Sequence, residues 1–375
     1  MNIAIITSSH FHYDDRIYYH MANSLSENGH KVEIISSLSE MNVDAAISIQ
    51  SFDGNSLSKN KKIAVFIERL TLFNPQIIIC SEPLTVLAAH KYSKKNNTKI
   101  IYDITEWYPS KKNLVNYHPS IKWFHFLKFS AYNLHSYSIS DGFIFGEYYK
   151  SKIPKLLFPK KPYEYTSYYP DLRFFKENKP QITDHILRLS YSGKISIEKG
   201  FVNFINVVKE LSEQNPNLNI YIKTIGWYDE KDDKICKDLI YNLNKNIKFI
   251  FHKTKKLADY IDLISDTDIF MDLRNNDFEN THCLPIKLFY YIALERPVIF
   301  SDLKAIRKEI DLNQFGYLVN PTDSKKIADI ILNYHNHKNH YYQHCSKAHQ
   351  LYKTNYNWQK IEPEFLKFMN QMAQQ

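Results

Sequence analysis

Tyr191-Ser192-Gly193-Lys194-Ile195-Ser196-Ile197-Glu198-Lys199-Gly200 decides how this chain is read. The apolar run Leu187–Ser192 ahead of it reads as a strand. Behind it, Phe201, Phe204, Ile205, Val208 and Leu211 recur at helical spacing. A strand, a glycine-bearing loop and a helix start are the local pattern of a doubly wound α/β domain. Such a loop can bring two ammonium groups and a helix N-terminus to one point, which suits a diphosphate. A solvated loop with incidental lysines fits these ten residues equally well, since a short loop motif is weak without context.

The same alternation runs outward in both directions. Toward the N-terminus, Ile3–Thr7, Lys31–Ser36, Gln76–Cys80, Lys99–Asp103 and Gly142–Phe145 read as strands. Helices are expected over Arg16–Ser26, where Ile17, Met21 and Leu25 share a face and Gly29 ends the run, and over Leu84–Lys95. Toward the C-terminus, strands are expected at Asn219–Thr224, Lys248–Phe251, Asp268–Leu273 and Pro297–Phe300. Helices are expected at Leu284–Leu294, with Pro285 in the first turn, and at Trp358–Met372. Continuous apolar strands alternating with helices predict parallel sheets covered on both faces. Pro159, Pro162, Pro170 and Pro180 punctuate a Lys- and Tyr-rich stretch that reads as a linker. The expected organisation is a Rossmann-like domain over 1–160, a linker over 161–186, a second Rossmann-like domain over 187–352 and a terminal segment over 353–375. Two such domains face a central cleft, and ligands bind beyond the carboxyl ends of the strands.

Composition agrees with two domains. The chain has 375 residues, 44% of them hydrophobic and 23% charged, ordinary values for a globular protein. No run of about 18 apolar residues suggests a membrane span. Met1–Thr7 lacks the basic n-region of a signal peptide, so a cytoplasmic location is expected. The cysteines Cys80, Cys236, Cys283 and Cys345 stand apart, with no CxxC pair, which argues against a disulfide framework or a zinc ribbon. A net charge of +8 suits an anionic partner. The basic residues form no nucleic-acid-binding motif, so no nucleic acid is expected.

A second segment of interest is Asp277-Phe278-Glu279-Asn280-Thr281-His282-Cys283-Leu284-Pro285-Ile286-Lys287-Leu288-Phe289-Tyr290-Tyr291. Carboxylates or amides in this polar loop can hold sugar hydroxyls while a helix N-terminus faces phosphate. Capping by Asn280 or Thr281 explains the same residues.

Taken together, these segments resemble the glycosyltransferases of the GT-B fold, in the large retaining family 4. The resemblance rests on Ile3-Ala4-Ile5-Ile6-Thr7-Ser8-Ser9-His10, Tyr13-Asp14-Asp15-Arg16-Ile17 and Gly29-His30-Lys31-Val32. It continues through Asn74-Pro75-Gln76-Ile77-Ile78-Ile79 and Ile101-Tyr102-Asp103-Ile104-Thr105-Glu106-Trp107-Tyr108-Pro109. Ser192-Gly193-Lys194 with Glu198-Lys199-Gly200 is similar to the family's diphosphate segment. Leu284–Phe289 with Arg296-Pro297-Val298-Ile299 is similar to its donor-site helix and following strand, and Asn357-Trp358 to the start of the last helix, which in this fold crosses back to the first domain. Two positions depart from the family pattern of paired glutamates eight residues apart: His282 and Tyr290 stand there instead.

The resemblance implies transfer of a sugar from a nucleotide-sugar donor to a glycan or lipid-linked acceptor, in bacterial lipopolysaccharide, capsule or exopolysaccharide synthesis. The nucleotide-sugar is a substrate, and neither cofactor nor metal is expected. Lys194 and Lys199 would stabilise the charge that develops on the leaving diphosphate. Gly193, Glu279, Asn280, His282, Leu284, Pro285, Lys287 and Tyr290 would form the donor side. Glu106 would act on the acceptor hydroxyl as a catalytic carboxylate. Asp103 can share that task or cap its turn. His10, Asp15 and Arg16 can touch the acceptor, or Asp15–Arg16 can begin a helix as cap and first-turn residue.

Asp266-Thr267-Asp268 spells a metal-binding signature of a different transferase fold, but its place ahead of a strand reads as a helix-to-strand turn. His10-x-His12 and the pair His340 and His344 have ligand spacing without a third ligand nearby. The histidines His335, His337, His340, His344 and His349 read as a solvated helical face. Residues 107–140 contain no Asp or Glu and interleave Lys111, Lys112, Lys122 and Lys128 with aromatics. Such a segment can lie on an anionic membrane surface, or be a core-facing helix with a basic outer face. Two other functions share the fold: a nucleotide-sugar epimerase, and a catalytically silent scaffold that partners another transferase.

Overall fold

The computed structural model describes residues 1–38, 47–176 and 179–374, apart from the side chain of Lys112. The chain divides into two compact units: Met1–Tyr168 together with the C-terminal residues from Ile361, and Tyr169–Lys360.

The first unit is built on a seven-stranded sheet: β1 (Asn2–Thr7), β2 (Lys31–Ser36), β3 (Ser48–Ile49), β4 (Ile77–Cys80), β5 (Lys99–Ile104), β6 (Gly142–Phe145) and β7 (Tyr163–Tyr165), in the order β3-β2-β1-β4-β5-β6-β7. Every pairing is parallel. β4 and β6 are buried along their whole length, as strands covered on both faces must be. The core gathers Ile6, Ile35, Phe66, Leu70, Ile78, Val86, Tyr102 and Phe143.

The second unit carries six parallel strands: β8 (Ile186–Ile195), β9 (Asn219–Tyr228), β10 (Ile247–Lys253), β11 (Ile269–Asp272), β12 (Val298–Ser301) and β13 (Gly316–Val319), in the order β10-β9-β8-β11-β12-β13. The helix Phe201–Gln214 buries Phe201, Phe204, Ile205, Val208 and Leu211, the residues whose spacing announced it.

Several elements differ from the sequence expectation. Residues 163–165, inside the stretch read as a linker, form β7 at the sheet edge, and Leu172–Phe174 is a 3₁₀ turn. Residues 177–178 of that stretch lie outside the described residues. Strands β3, β7 and β13 escape a periodicity reading because they have two to four residues and are only partly buried. The helix expected from Arg16 begins with a π turn, Asp15–Ala22, before Asn23–Glu27 turns α. The wider turn lets Arg16, Ile17, His20 and Met21 all face inward. The helix expected from Leu284 is shorter, Lys287–Ala293, because Pro285 has no N–H and disfavours helix at the residue before it.

Asp266 and Asp268 occupy a helix-to-strand turn, where Asp266 pairs with Lys223 and Asp268 accepts from the Arg188 N–H at 2.7 Å. Of the C-terminal histidines only His337 is exposed; the others are buried or part-buried, so they do not form a solvated face. Tyr317 Oη lies 2.9 Å from His340 Nε2, Tyr334 Oη lies 2.6 Å from His344 Nδ1, and His335 is buried. Among the described residues no helix is long and apolar enough to cross a membrane.

Candidate functional site

In the second unit the chemistry collects beyond the carboxyl ends of β8 and β11. Gly193 adopts φ +103°, and a Cβ there would stand 2.6 Å from Lys287 Nζ. Glycine at this position admits the lysine, whose ammonium donates to the Ser192 carbonyl. Gly200, at φ +80°, starts the Phe201–Gln214 helix, and a Cβ there would meet the Leu273 carbonyl at 2.1 Å. The loop after β8 is thereby pressed against the loop after β11.

Side chains stitch the two loops together. Asn203 Nδ2 donates to Leu273 O at 2.9 Å and to Asn275 Oδ1 at 3.1 Å. Lys199 Nζ donates to Asn280 Oδ1 at 3.0 Å, while Asn280 Nδ2 donates to Asn275 O and Asp277 Oδ2, both at 3.0 Å. Asp277 Oδ1 caps the Phe278–Thr281 turn by accepting from the Asn280 N–H at 2.9 Å. Asn280 thus spends its amide on holding the loop and Lys199, not on a ligand.

The electrostatics are lopsided. Arg274 grips Asp272 through Nε at 2.8 Å and through a second, shorter bond. Lost hydration works to raise the Asp272 carboxyl, but Arg274, Lys287 and Lys199 outweigh it and hold it below its ordinary value. Lost hydration lowers Lys287 to about 8; Asp272 opposes that fall, while Arg274 and Lys199 add to it. Three cations therefore bear on the Asp272 carboxylate, and Glu198, 3.2 Å from Lys199 Nζ, is a second and more exposed counter-charge. Lys194, at the end of β8, pairs instead with Asp229. An anion placed among Lys199, Lys287 and Arg274 would relieve this excess.

The remaining donor-side residues are distributed as follows. Glu279 is part-exposed on the short turn. His282 Nδ1 lies 2.8 Å from Phe278 O, and Leu284 and Pro285 are buried. Tyr290 is 5% exposed, packed near Phe175 and Tyr260 at centroid distances of 6.0 and 6.2 Å. Its hydroxyl is buried with no hydrogen-bond partner among the described residues.

The acceptor-side candidates gather in the first unit, beyond β1, β4 and β5. Arg16 and Asp103 form a bidentate pair, Nε–Oδ2 2.8 Å and Nη2–Oδ1 2.7 Å, at 5% and 1% exposure. Arg16 also donates to Thr166 O and lies over the Tyr168 ring at 4.9 Å. This pair is committed to fastening β1, β5 and the β7 exit, so neither side chain presents itself for an acceptor. Asp14, not Asp15, caps the following helix by accepting from the Arg16 N–H at 3.0 Å and the Ile17 N–H at 3.3 Å.

Glu82 lies in the segment 81–83 after β4, a place where ligands are expected, but no motif singles it out. Its carboxylate accepts from Thr7 Oγ1 and Ser8 N, each at 2.8 Å, and from Ser9 N at 3.2 Å, which sets the shape of the loop after β1. The signal available was Glu82 itself, directly after β4 and ahead of Pro83. His10 sits over this hub, 3.3 Å from Asp14 and 3.8 Å from Glu82. Lost hydration lowers His10, but Asp14, Glu82 and Glu106 raise it to about 9. Lost hydration, reinforced by the Asp14 charge, raises Asp15 to about 7. Glu106 is exposed. His12 is buried with Nδ1 3.1 Å from Ser51 Oγ. Among the described residues no group of three or more His, Cys, Asp or Glu is arranged to hold a metal ion.

A cationic cluster beyond the first strand of a doubly wound domain is the setting in which a nucleotide diphosphate is bound. Residues 174–357 match the model of the family Glycosyl transferases group 1. The matched stretch lies within the second unit. No curated protein sequence matches the chain. Solved structures do. Sucrose-phosphate synthase from Thermosynechococcus elongatus is 14% identical, with 99% of this chain and 98% of that chain covered and a TM-score of 0.71. HepE of Anabaena in complex with UDP-glucose is 11% identical, with 99% and 100% covered and a TM-score of 0.71. The E. coli trehalose-6-phosphate structure bound with UDP-2-fluoro glucose is 10% identical, with 100% and 99% covered and a TM-score of 0.67. At these identities the likeness establishes the fold, which is GT-B. The domain match supports glycosyltransferase activity.

Proposed function

We propose that this protein is a retaining glycosyltransferase of family 4, which moves a sugar from a nucleotide-sugar to a glycan or lipid-linked acceptor. The proposed setting is bacterial surface-polysaccharide synthesis (lipopolysaccharide, capsule or exopolysaccharide), with the enzyme in the cytoplasm and peripheral on the inner face of the cell membrane. The observation that carries the reading is the placement of Lys199, Lys287 and Arg274 about the buried carboxylate of Asp272, with Glu198 as a second, half-exposed partner of Lys199, inside the Glycosyl transferases group 1 match.

The leaving nucleoside diphosphate gains negative charge as the glycosidic bond breaks. Fixed cations that meet this charge stabilise the transition state more than the ground state. Lys199 is held in place by Asn280, and Lys287 is kept close by Gly193. With three cations at hand, the proposal calls for no metal and no cofactor. Lys194 joins them once the diphosphate competes with Asp229. Glu106, exposed beyond β5, orients or deprotonates the acceptor hydroxyl. Asp15, near 7, is poised to exchange a proton at neutral pH. Because HepE and the E. coli protein are seen with UDP-sugars, UDP-sugars are the first donors to try.

The test is incubation of the full chain with UDP-, GDP- and ADP-sugars and a lipid-linked or free glycan acceptor, followed by NMR of the product. Retention of the donor's anomeric configuration supports the proposal. Inversion contradicts the retaining mechanism, and epimerised nucleotide-sugar without transfer indicates the epimerase. Tyr290, standing where relatives carry a carboxylate, favours one second reading, a silent scaffold. That reading requires that no donor binds.

A further inference from the structure

The helix Pro119–Ile139 of the first unit turns its apolar side chains the wrong way for a soluble protein. Phe129, Asn133, Ser136 and Tyr137 are its buried residues. On the opposite side Phe124, Leu127, Ala131 and Leu134, spaced 3, 4 and 3 residues apart, are exposed. Phe124 is 56% exposed, Leu127 53%, and the neighbouring Trp123 65%. The outer face of a surface helix is ordinarily polar. A core-facing helix with a basic outer face, one of the two readings of this stretch, does not describe it.

A second helix extends the surface. Tyr148–Leu157 links β6 to β7, as Pro119–Ile139 links β5 to β6. These strands are parallel neighbours in that order, so right-handed crossovers put both helices on one face of the sheet. The second helix exposes Ile153, Leu156 and Leu157, with Leu156 at 78%.

Charge on both helices has one sign. No Asp or Glu occurs from Trp107 to Ser140 or from Tyr148 to Tyr163, whereas Lys122, Lys128, Lys152 and Lys155 lie within the two helices. Contiguous exposed apolar surface marks an interaction site. Aromatic and aliphatic side chains among lysines suit the boundary of a bilayer, where the rings enter the headgroup region and the ammonium groups meet anionic lipid. A second copy of the chain is a poor occupant, because a two-fold contact would set lysines against lysines with no carboxylate between them.

We propose that the first unit docks on an anionic lipid bilayer through the outward faces of the helices Pro119–Ile139 and Tyr148–Leu157. This gives the peripheral position proposed above a defined surface. The docking is read without donor or acceptor, so its failure and that of the transfer reaction are separable. The experiment is co-sedimentation of the full chain with vesicles of phosphatidylcholine, alone or mixed with phosphatidylglycerol. The chain should pellet with the mixed vesicles, and less so as salt rises. The double variant Lys128→Glu with Lys152→Glu, one exposed lysine from each helix, should lower partitioning by on the order of tenfold or more. Phe124→Ser with Leu127→Ser should lower it too, with circular dichroism and thermal midpoint unchanged, because both side chains are exposed. Failure of the wild-type chain to pellet at low salt, or pelleting of both double variants like wild type, overturns the proposal. So does a wild-type dimer that Phe124→Ser with Leu127→Ser disperses while vesicles leave the chain in solution.

Discussion

Lys199 Nζ reaches Asn280 Oδ1 at 3.0 Å, and this bond joins the loop after β8 to the loop after β11. Removing either partner should therefore have distinct consequences. Lys199→Ala removes a cation from the leaving group and should lower turnover by on the order of 10²–10³. Asn280→Ala leaves the cation with Glu198 as its partner but no longer ties it to the loop after β11, and should cost about 1.5–3 kcal/mol of transition-state stabilisation, the worth of a hydrogen bond to a charged group. Turnover measured beside thermal midpoint separates the two. Equal and small effects would remove Lys199 from the diphosphate.

Lys194 is held by Asp229 and must leave that pairing to assist. Lys194→Ala should reduce turnover within the same range as Lys199→Ala, while Asp229→Asn should strengthen diphosphate binding by releasing the lysine. Titration calorimetry with nucleoside diphosphate checks this. Weaker binding in Asp229→Asn would show that the aspartate positions Lys194 instead of sequestering it.

Tyr290 gives an unusually clean comparison. Its hydroxyl is buried without a partner among the described residues, so Tyr290→Phe should leave the fold intact and even stabilise it slightly. Glu279→Gln should damage transfer more, by about 1.5–3 kcal/mol against about 1 for the phenol. If Tyr290→Phe proves the more damaging in turnover, the phenol holds the ribose in place of the missing carboxylate.

Lys287, lowered to about 8 from 10.5, titrates within reach of neutral pH. A lysine with a depressed folded value favours the folded state only above 10.5, and that contribution is lost as pH falls through about 8. Below about 8 the buried cation is a burden that an anion relieves. Nucleoside diphosphate should therefore bind with proton uptake near pH 8 and lose affinity as pH rises beyond it. Calorimetry in buffers of different ionisation enthalpy measures the uptake, and Lys287→Met should abolish it. Proton-neutral binding by the wild type would place the diphosphate elsewhere.

His10 has the opposite sign. Its folded value is raised from 6.5 to about 9, so its contribution to stability is complete below 6.5 and disappears as pH rises through about 9. The thermal midpoint gap between wild type and His10→Gln should be largest in acid and close above pH 9. A gap that does not change with pH would mean that His10 acts by packing alone.

Much of the fold is legible in the sequence because parallel strands buried on both faces write themselves as apolar runs. Ile77–Cys80 and Gly142–Phe145 are read almost residue for residue. What escapes is short or edge structure, such as β3 and β7, where too few residues are buried to leave a period. The candidate site is half legible. Lys199 and Lys287 are recognisable from loop position, but the Asp272–Arg274 pair is not, because a carboxylate at the last position of a strand and an arginine two residues on carry no pattern that announces their pairing. Arg16 and Asp103 are recognisable as polar residues after strands, yet they lie 87 positions apart, and nothing local tells that they satisfy one another. Glu82 is silent for the same reason: its partners are the loop after β1, 73 to 75 residues away.

The most direct test of the central claim is calorimetric titration of the full chain with UDP, GDP and ADP, repeated on Lys199→Ala. One of the three should bind specifically, without added metal, and the variant should bind it at least about tenfold more weakly, as loss of a charge-assisted contact to phosphate implies. Absence of binding by all three, or equal affinity in wild type and variant, would contradict the claim.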